Sequence, residues 1–229
     1  MEQLPNGYTL NIPDGCFPLS TDTMLLSDFV RVGSNSSVLD LGSGCGTLGL
    51  LICSQQPTCH VTGIELDDAA HRAALDNIHR NSLSARMNSI CADIRHVNQL
   101  LPAGSFACCI SNPPYFSGGP ADQKTPLARR DDRCEPEALF RSAAWALQYG
   151  GDFFLVHKPE KLAQLCGCAV QNGLEPKKLR LIRHKPGTPV ILILLQCRKG
   201  GKPGLVWEEN YLLEPDGSPS AYYQNIYHL

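Results

Sequence analysis

No run of about 18–20 apolar residues interrupts this sequence, so it holds no candidate for a helix that crosses a bilayer. Its opening, MEQLPNGYTL, has neither the basic flank nor the apolar core of an export signal. Those two absences point to a cytoplasmic protein with no membrane partner. No Cys-x-x-Cys pair occurs among its eleven cysteines, the nearest spacings being Cys108-Cys109 and Cys166-x-Cys168. Metal and disulfide frameworks depend on suitably spaced pairs, so buried free thiols are expected instead, with Cys53, Cys91, Cys109 and Cys197 in apolar segments. None of the seven histidines stands at ligand spacing from a carboxylate or cysteine, and no metal is expected. An excess of one charge is missing too, the net being −2, and there is no internal repeat or low-complexity tract.

What is present suits one folded domain. The 229 residues are 43% hydrophobic and 18% charged, enough for one sizeable core and cramped for two. Residues 1–229 are therefore read as a single domain. Within it SVLDL (37–41), HVTGIEL (60–66), NSICADI (88–94), FACCI (106–110), DFFLVH (152–157) and VILILLQC (190–197) read as strands. Helix-like stretches cover 47–55, 67–81, 135–148 and 159–172, with Asp67 and Glu135 at helix starts and Gly150 and Gly173 just past helix ends. Such alternation predicts an α/β fold, a parallel sheet with helices on both faces. Ligands of such sheets bind beyond the carboxyl ends of the strands. Residues 1–36 and 198–229 fall outside the alternation. FPLSTDTMLLSDFV reads as a turn running into a short helix, and the tail after RKGGKPG as a hairpin or a segment packed on the sheet.

The first chemical signal is VLDLGSGCGTLGL (38–50), a strand entering a glycine-rich turn and then a helix. Gly44-x-Gly46-x-x-Gly49 matches a dinucleotide fingerprint, while Asp40-x-Gly42-x-Gly44-x-Gly46 matches a turn that holds S-adenosylmethionine (SAM). A dinucleotide site needs its first glycine close behind the strand, so that helix N-terminal amides meet the pyrophosphate, and the Gly44 frame starts late for that. In the other frame Asp40 ends the strand, and the glycines let the backbone approach an amino-acid moiety whose ammonium needs a carboxylate or carbonyl. Glu65, at the end of the next strand, is in register to accept two ribose hydroxyls, which either cofactor would offer. Asp93 ends the third strand, where it is either an acceptor for an adenine amine or a loop acid.

The second signal is SNPPYF (111–116), directly after the fourth strand. An amino group on an aromatic base or an amide is a poor nucleophile because its lone pair is delocalised. Two acceptors, the Asn112 side-chain oxygen and the Pro113 carbonyl, would bind both of its hydrogens and turn the lone pair towards an electrophilic methyl. Tyr115 would hold a planar substrate by stacking. The plain alternative is a stiff turn with an aromatic plug.

With these motifs the chain resembles the class I SAM-dependent methyltransferases, specifically the amino-group enzymes bearing Asn-Pro-Pro-Tyr, and among them the bacterial tRNA adenine-N6 methyltransferases. GCFPLSTDTMLLSDF resembles that family's cofactor-closing N-terminal segment, with Asp22, Leu25 and Leu26; DLGSGCG, Glu65, ADI and SNPPYF follow in family order. ARRDDR (128–133) departs from the pattern, since Arg130 stands where the family has His. LIRHKPGTPVILILLQCRKG resembles its final pair of strands. The resemblance implies a Rossmann-like sheet of seven strands with the last antiparallel, SAM as methyl donor and in-line transfer to the exocyclic N6 amine of adenine in RNA, with tRNA as the partner. It implies Asn112, Pro113 and Tyr115 as catalytic residues, and Asp22, Asp40, Gly42, Gly44, Gly46, Glu65, Leu66, Asp93, Ile94 and Asn112 around the cofactor.

Three other readings stay open. A protein glutamine methyltransferase acting on release factors shares the motif, because a primary amide also has a delocalised nitrogen, but residues 1–36 cannot form the helical domain such enzymes usually carry. A NAD-dependent oxidoreductase leaves Asn112–Tyr115 without purpose. A non-catalytic SAM- or RNA-binding protein has no need of an intact motif. Charge distribution favours RNA: residues 177–202 carry +8 with no acid, against −6 for 1–176 and −4 for 203–229. That stripe, with Lys124, Arg129, Arg130 and Arg133, is expected to track a phosphate backbone, unless its lysines merely guard a strand edge.

Overall fold

The structure is a computed structural model, and it describes residues 2–4, 7–114 and 135–227. In chain order the elements are β1 (Glu2–Gln3), β2 (Thr9–Leu10), α1 (Thr21–Phe29), β3 (Ser37–Leu41), α2 (Thr47–Gln55), β4 (His60–Glu65), α3 (Asp68–Arg80), β5 (Met87–Cys91), α4 (Val97–Leu100), β6 (Phe106–Ser111), α5 (Pro136–Ala146), β7 (Leu147–His157), α6 (Leu162–Gln171), β8 (Leu174–Arg183), β9 (Val190–Lys199), β10 (Val206–Tyr211) and α7 (Ala221–Tyr227). The main sheet runs β10-β8-β9-β7-β6-β3-β4-β5, while β1 and β2 form a separate antiparallel pair. Among the described strands of the main sheet only β9 is antiparallel to its neighbours. Among the described residues no helix is long and apolar enough to cross a membrane.

Successive apolar residues of the central strands leave the sheet on opposite sides, as the pleat requires. Phe154, Val156 and Leu194 join one core cluster with Met24, Leu25 and Phe29 of α1 and Leu51 of α2. Phe153, Leu155, Ile193 and Leu195 join the other, with Leu139 and Phe140 of α5 and Leu165 of α6. Both faces are covered, which is why these strands read as continuous apolar runs. Each face is keyed by an edge-on aromatic pair, Phe29–Phe154 at 5.8 Å and Phe140–Phe153 at 5.3 Å. Such pairs add about 0.5–1.5 kcal/mol to the burial of the rings.

Several expectations need correction. The sheet has eight strands rather than seven: after β9 the chain turns back and β10 pairs in parallel with β8 along the outer edge, so the antiparallel strand is not the last. The tail is therefore neither a hairpin nor merely packed against a face. Gly150 does not follow a helix end, because α5 stops at Ala146 and β7 already runs through it. Cys91 is exposed at the end of β5, whereas Cys53, Cys109 and Cys197 are buried; all ten described cysteines are free.

One buried cation binds the ends of the chain to the sheet. Arg180 of β8 is 7% exposed; its guanidinium donates to Asp28 of α1 at 2.6 Å and to the Tyr222 hydroxyl of α7 at 2.9 Å, and pairs with Glu208 of β10. It also lies over the Phe29 ring, 5.0 Å from the centroid. Three elements thus satisfy one charge, the condition under which a buried ion is tolerated.

Candidate active site

Beyond the carboxyl ends of β3, β4, β5 and β6 lies a cleft of about 440 Å³. Its floor is the turn after β3. Gly42 and Ser43 donate their amides to the Ile64 carbonyl at 2.9 and 3.0 Å, and Gly44 donates to a Glu65 carboxylate oxygen at 2.7 Å. The turn is thus bolted to the end of β4. Gly46 ends it with φ +83°, capping α2, and a Cβ there would stand 3.2 Å from Met87 Cε. Gly46 does not line the cleft and lies against Met87 and Ala74, where α2 packs on β5 and α3. Gly63 is a position that sequence reasoning missed: a Cβ on it would meet Ser43 Oγ at 2.5 Å, so the strand must be bare for the turn to approach. An isolated glycine inside HVTGIEL was the available signal.

Asp40 lines the cleft and is 1% exposed, with no hydrogen-bond partner for one carboxylate oxygen. Burial, reinforced by the charge of Glu65 and only partly opposed by the Gly49 amide, pushes its pKa up to about 8. A carboxyl so placed ionises readily only beside a cation. The Ser43 hydroxyl, 7% exposed, likewise lacks a partner.

Glu65 has already engaged both oxygens with the backbone, one with Gly44 and the other with Asp67 N–H at 2.8 Å. Each oxygen keeps a second acceptor site for a ribose hydroxyl. Asp93 lines the cleft, caps the following turn through Arg95 N–H at 2.9 Å and pairs with the Arg95 guanidinium, which holds its carboxyl below the usual range. Leu66 and Ile94 present apolar surface on either side of this region.

Across the cleft, Asn112 and buried Pro113 follow β6, whose Ser111 hydroxyl donates to the Leu41 carbonyl at 2.7 Å and so fastens the turn beside the glycine floor. The Asn112 amide nitrogen donates to Thr23 Oγ1 at 2.9 Å. Thr23 lines the cleft; Asp22, its neighbour and the expected contact, does not, and is half-buried beside Lys158 with its pKa raised by burial. The loop Asp14–Pro18 closes the same side. It brings Cys16 against Cys45, and burial raises both thiols, so neither is a ready nucleophile. Tyr115, Lys124, Arg129, Arg130 and Arg133 lie outside the described residues. Among the described residues no group of His, Cys, Asp and Glu is placed to hold a metal ion.

The basic run 177–202 does not form one tract. Because β9 runs against β8, Lys177, Lys178, Arg198 and Lys199 lie towards the sheet end opposite the cleft, and Arg183 and Lys185 towards the cleft end. Lys178 pairs with Glu208 at 2.9 Å, Arg180 with Asp28 and Glu208, Arg183 with Glu209, and Arg198 with Asp152 at 2.9 Å. Lys199 donates to the Ala144 and Leu147 carbonyls. Half of the charge that looked free in the chain is matched by acids from β10, α1 and β7.

The family described as Methyltransferase small domain matches residues 20–165 of this chain. The chain belongs to that family. It is a SAM-dependent methyltransferase, and the NAD reading of the glycine turn falls. The methyltransferase is 28% identical over 212 residues to the tRNA1(Val) (adenine(37)-N6)-methyltransferase of Photobacterium profundum, covering 90% of this chain and 88% of that one. It is 31% identical over 185 residues to the enzyme of the same name from Tolumonas auensis, covering 79% and 76%. The crystal structure of a predicted O-methyltransferase from Agrobacterium tumefaciens shares its fold, with a TM-score of 0.76 at 22% identity over 91% of this chain and 96% of that one.

Proposed function

We propose that this methyltransferase moves the methyl group of SAM to the exocyclic N6 amine of an adenine in tRNA, with Asn112 and Pro113 holding the amine. The observation that carries the reading is the meeting of two motifs in one cleft: the Asn112-Pro113 turn faces the floor on which the unpaired, buried Asp40 oxygen sits. That oxygen fits the ammonium of SAM, Glu65 its ribose, and Leu66 and Ile94 the faces of its adenine. Gly42 and Gly44 leave the backbone bare beside its amino-acid end. When bound, SAM supplies an electrophilic methyl on a sulfonium.

The chain's own part is positioning. The Asn112 oxygen and the Pro113 carbonyl accept the two amine hydrogens, which pulls the nitrogen lone pair out of conjugation with the base and aims it across the cleft. No strong base is needed beforehand, because the nitrogen becomes acidic once it has been alkylated and then gives its proton to solvent. Alignment and hydrogen bonding are the main terms available to such a site. The names of the relatives supply the choice of adenine in a valine tRNA. Incubation with methyl-labelled SAM, an unmodified valine tRNA transcript and, separately, a release factor tests the proposal. Label is expected in N6-methyladenosine after nucleoside digestion and mass spectrometry, whereas label on a glutamine of the release factor alone would overturn it.

A further inference from the structure

We infer that Thr23 is a positioning residue of the methyl transfer: its hydroxyl sets which end of the Asn112 amide meets the acceptor amine. The inference rests on the assignment of Asn112 above. Thr23 sits in the first turn of α1, 5% exposed, and is joined to Asn112 across 89 residues of sequence by a single 2.9 Å contact. The amide nitrogen of Asn112 carries only hydrogens, so at this contact the Thr23 oxygen must accept. Ser20 Oγ lies 3.2 Å from the Thr23 hydroxyl, where either oxygen can donate, and receives the Thr23 backbone N–H at 3.3 Å as the helix cap. The bond between Asn112 and Thr23 itself runs from amide to hydroxyl.

That direction matters because the last torsion of an asparagine is soft and two-fold. A flipped amide would present its NH2 to the substrate amine, donor against donor, and the nitrogen lone pair would no longer be turned towards the methyl. With the NH2 held by Thr23, the oxygen is the end offered to the substrate. The hydroxyl is well placed to enforce this, since α1 is anchored by Met24, Leu25, Leu26 and Phe29, each at most 2% exposed.

The test compares Thr23→Val, which keeps the branched shape but cannot accept, with Thr23→Ser, which keeps the hydroxyl, using labelled SAM and the valine tRNA transcript. For Thr23→Val we expect kcat to fall at least tenfold, while the Kd for SAM, the KM for tRNA and the thermal midpoint stay close to wild type. Thr23→Ser should recover kcat to within about threefold. The double variant Thr23→Val with Asn112→Ala should lose no more than Asn112→Ala alone, because the hydroxyl acts only through the amide. A Thr23→Val enzyme with normal kcat, or one whose loss is equalled by Thr23→Ser or adds fully to that of Asn112→Ala, overturns the inference. If Asn112→Ala itself keeps normal kcat, the underlying assignment fails, and the two failures are thereby distinguished.

Discussion

Replacing Asp40 by Asn should stabilise the ligand-free enzyme at high pH while impairing its grip on SAM. In the native protein the carboxyl is neutral up to about pH 8, whereas its ordinary value is 3.8. Between those values the native state holds a proton that the unfolded chain has released, so stability falls as pH rises from about 4 to about 8 and is level above that. At about 1.36 kcal/mol per pH unit, the interval from 3.8 to about 8 sets a ceiling of roughly 6 kcal/mol. Water entering the open cleft solvates the ionised form and lowers the loss, so about 2 kcal/mol or more is expected. Urea unfolding of wild type and Asp40→Asn from pH 5 to 9 isolates this carboxyl, because every other titrating group is common to both proteins. The stability difference should grow in favour of the variant up to pH 8 and then level off. Saturating SAM should flatten the wild-type slope, since a cation beside the carboxylate favours its ionised form. Parallel pH curves for the two proteins would refute the reasoning.

Two further changes probe the frame. Arg180→Ala strands Asp28, leaves Glu208 with Lys178 alone and opens the contact between α1 and Tyr222, and should cost about 3 kcal/mol in urea unfolding; a loss under 0.5 kcal/mol would deny the clasp. Gly63→Ala sets a methyl 2.5 Å from Ser43 Oγ and must displace the glycine turn, so calorimetry should show SAM affinity falling about tenfold with a modest loss of stability. Unchanged affinity would mean that the turn does not form the SAM floor.

Much of the sheet was legible because its central strands are buried on both faces and therefore apolar throughout. SVLDL, FACCI and VILILLQC, and the helix TLGLLICSQ set off by Gly46, stand close to where pattern alone put them. Pattern failed where partners come from far along the chain. LEPKKLRLIR was not among the runs read as strands from pattern, although its end falls in the stretch that resembles the family's final pair of strands; in β8 the charges of Lys178, Arg180 and Arg183 are met by Glu208, Asp28 and Glu209. The same blindness made the basic stripe look free. Asp40, Glu65 and Asn112 were found because strand-end acids and Asn-Pro-Pro are local signals. Thr23 was not, since its meaning lies in one hydrogen bond to a residue on another element, and neither Ser20 nor Thr23 marks it in the chain.

The central claim is that Asn112 presents an amine to the methyl without itself holding SAM. Single-turnover methylation of the valine tRNA transcript by Asn112→Ala, with SAM binding measured alongside, tests it most directly. The account predicts a rate at least a hundredfold lower with the Kd for SAM within about threefold of wild type; a normal rate, or a loss explained wholly by weaker SAM binding, would contradict it.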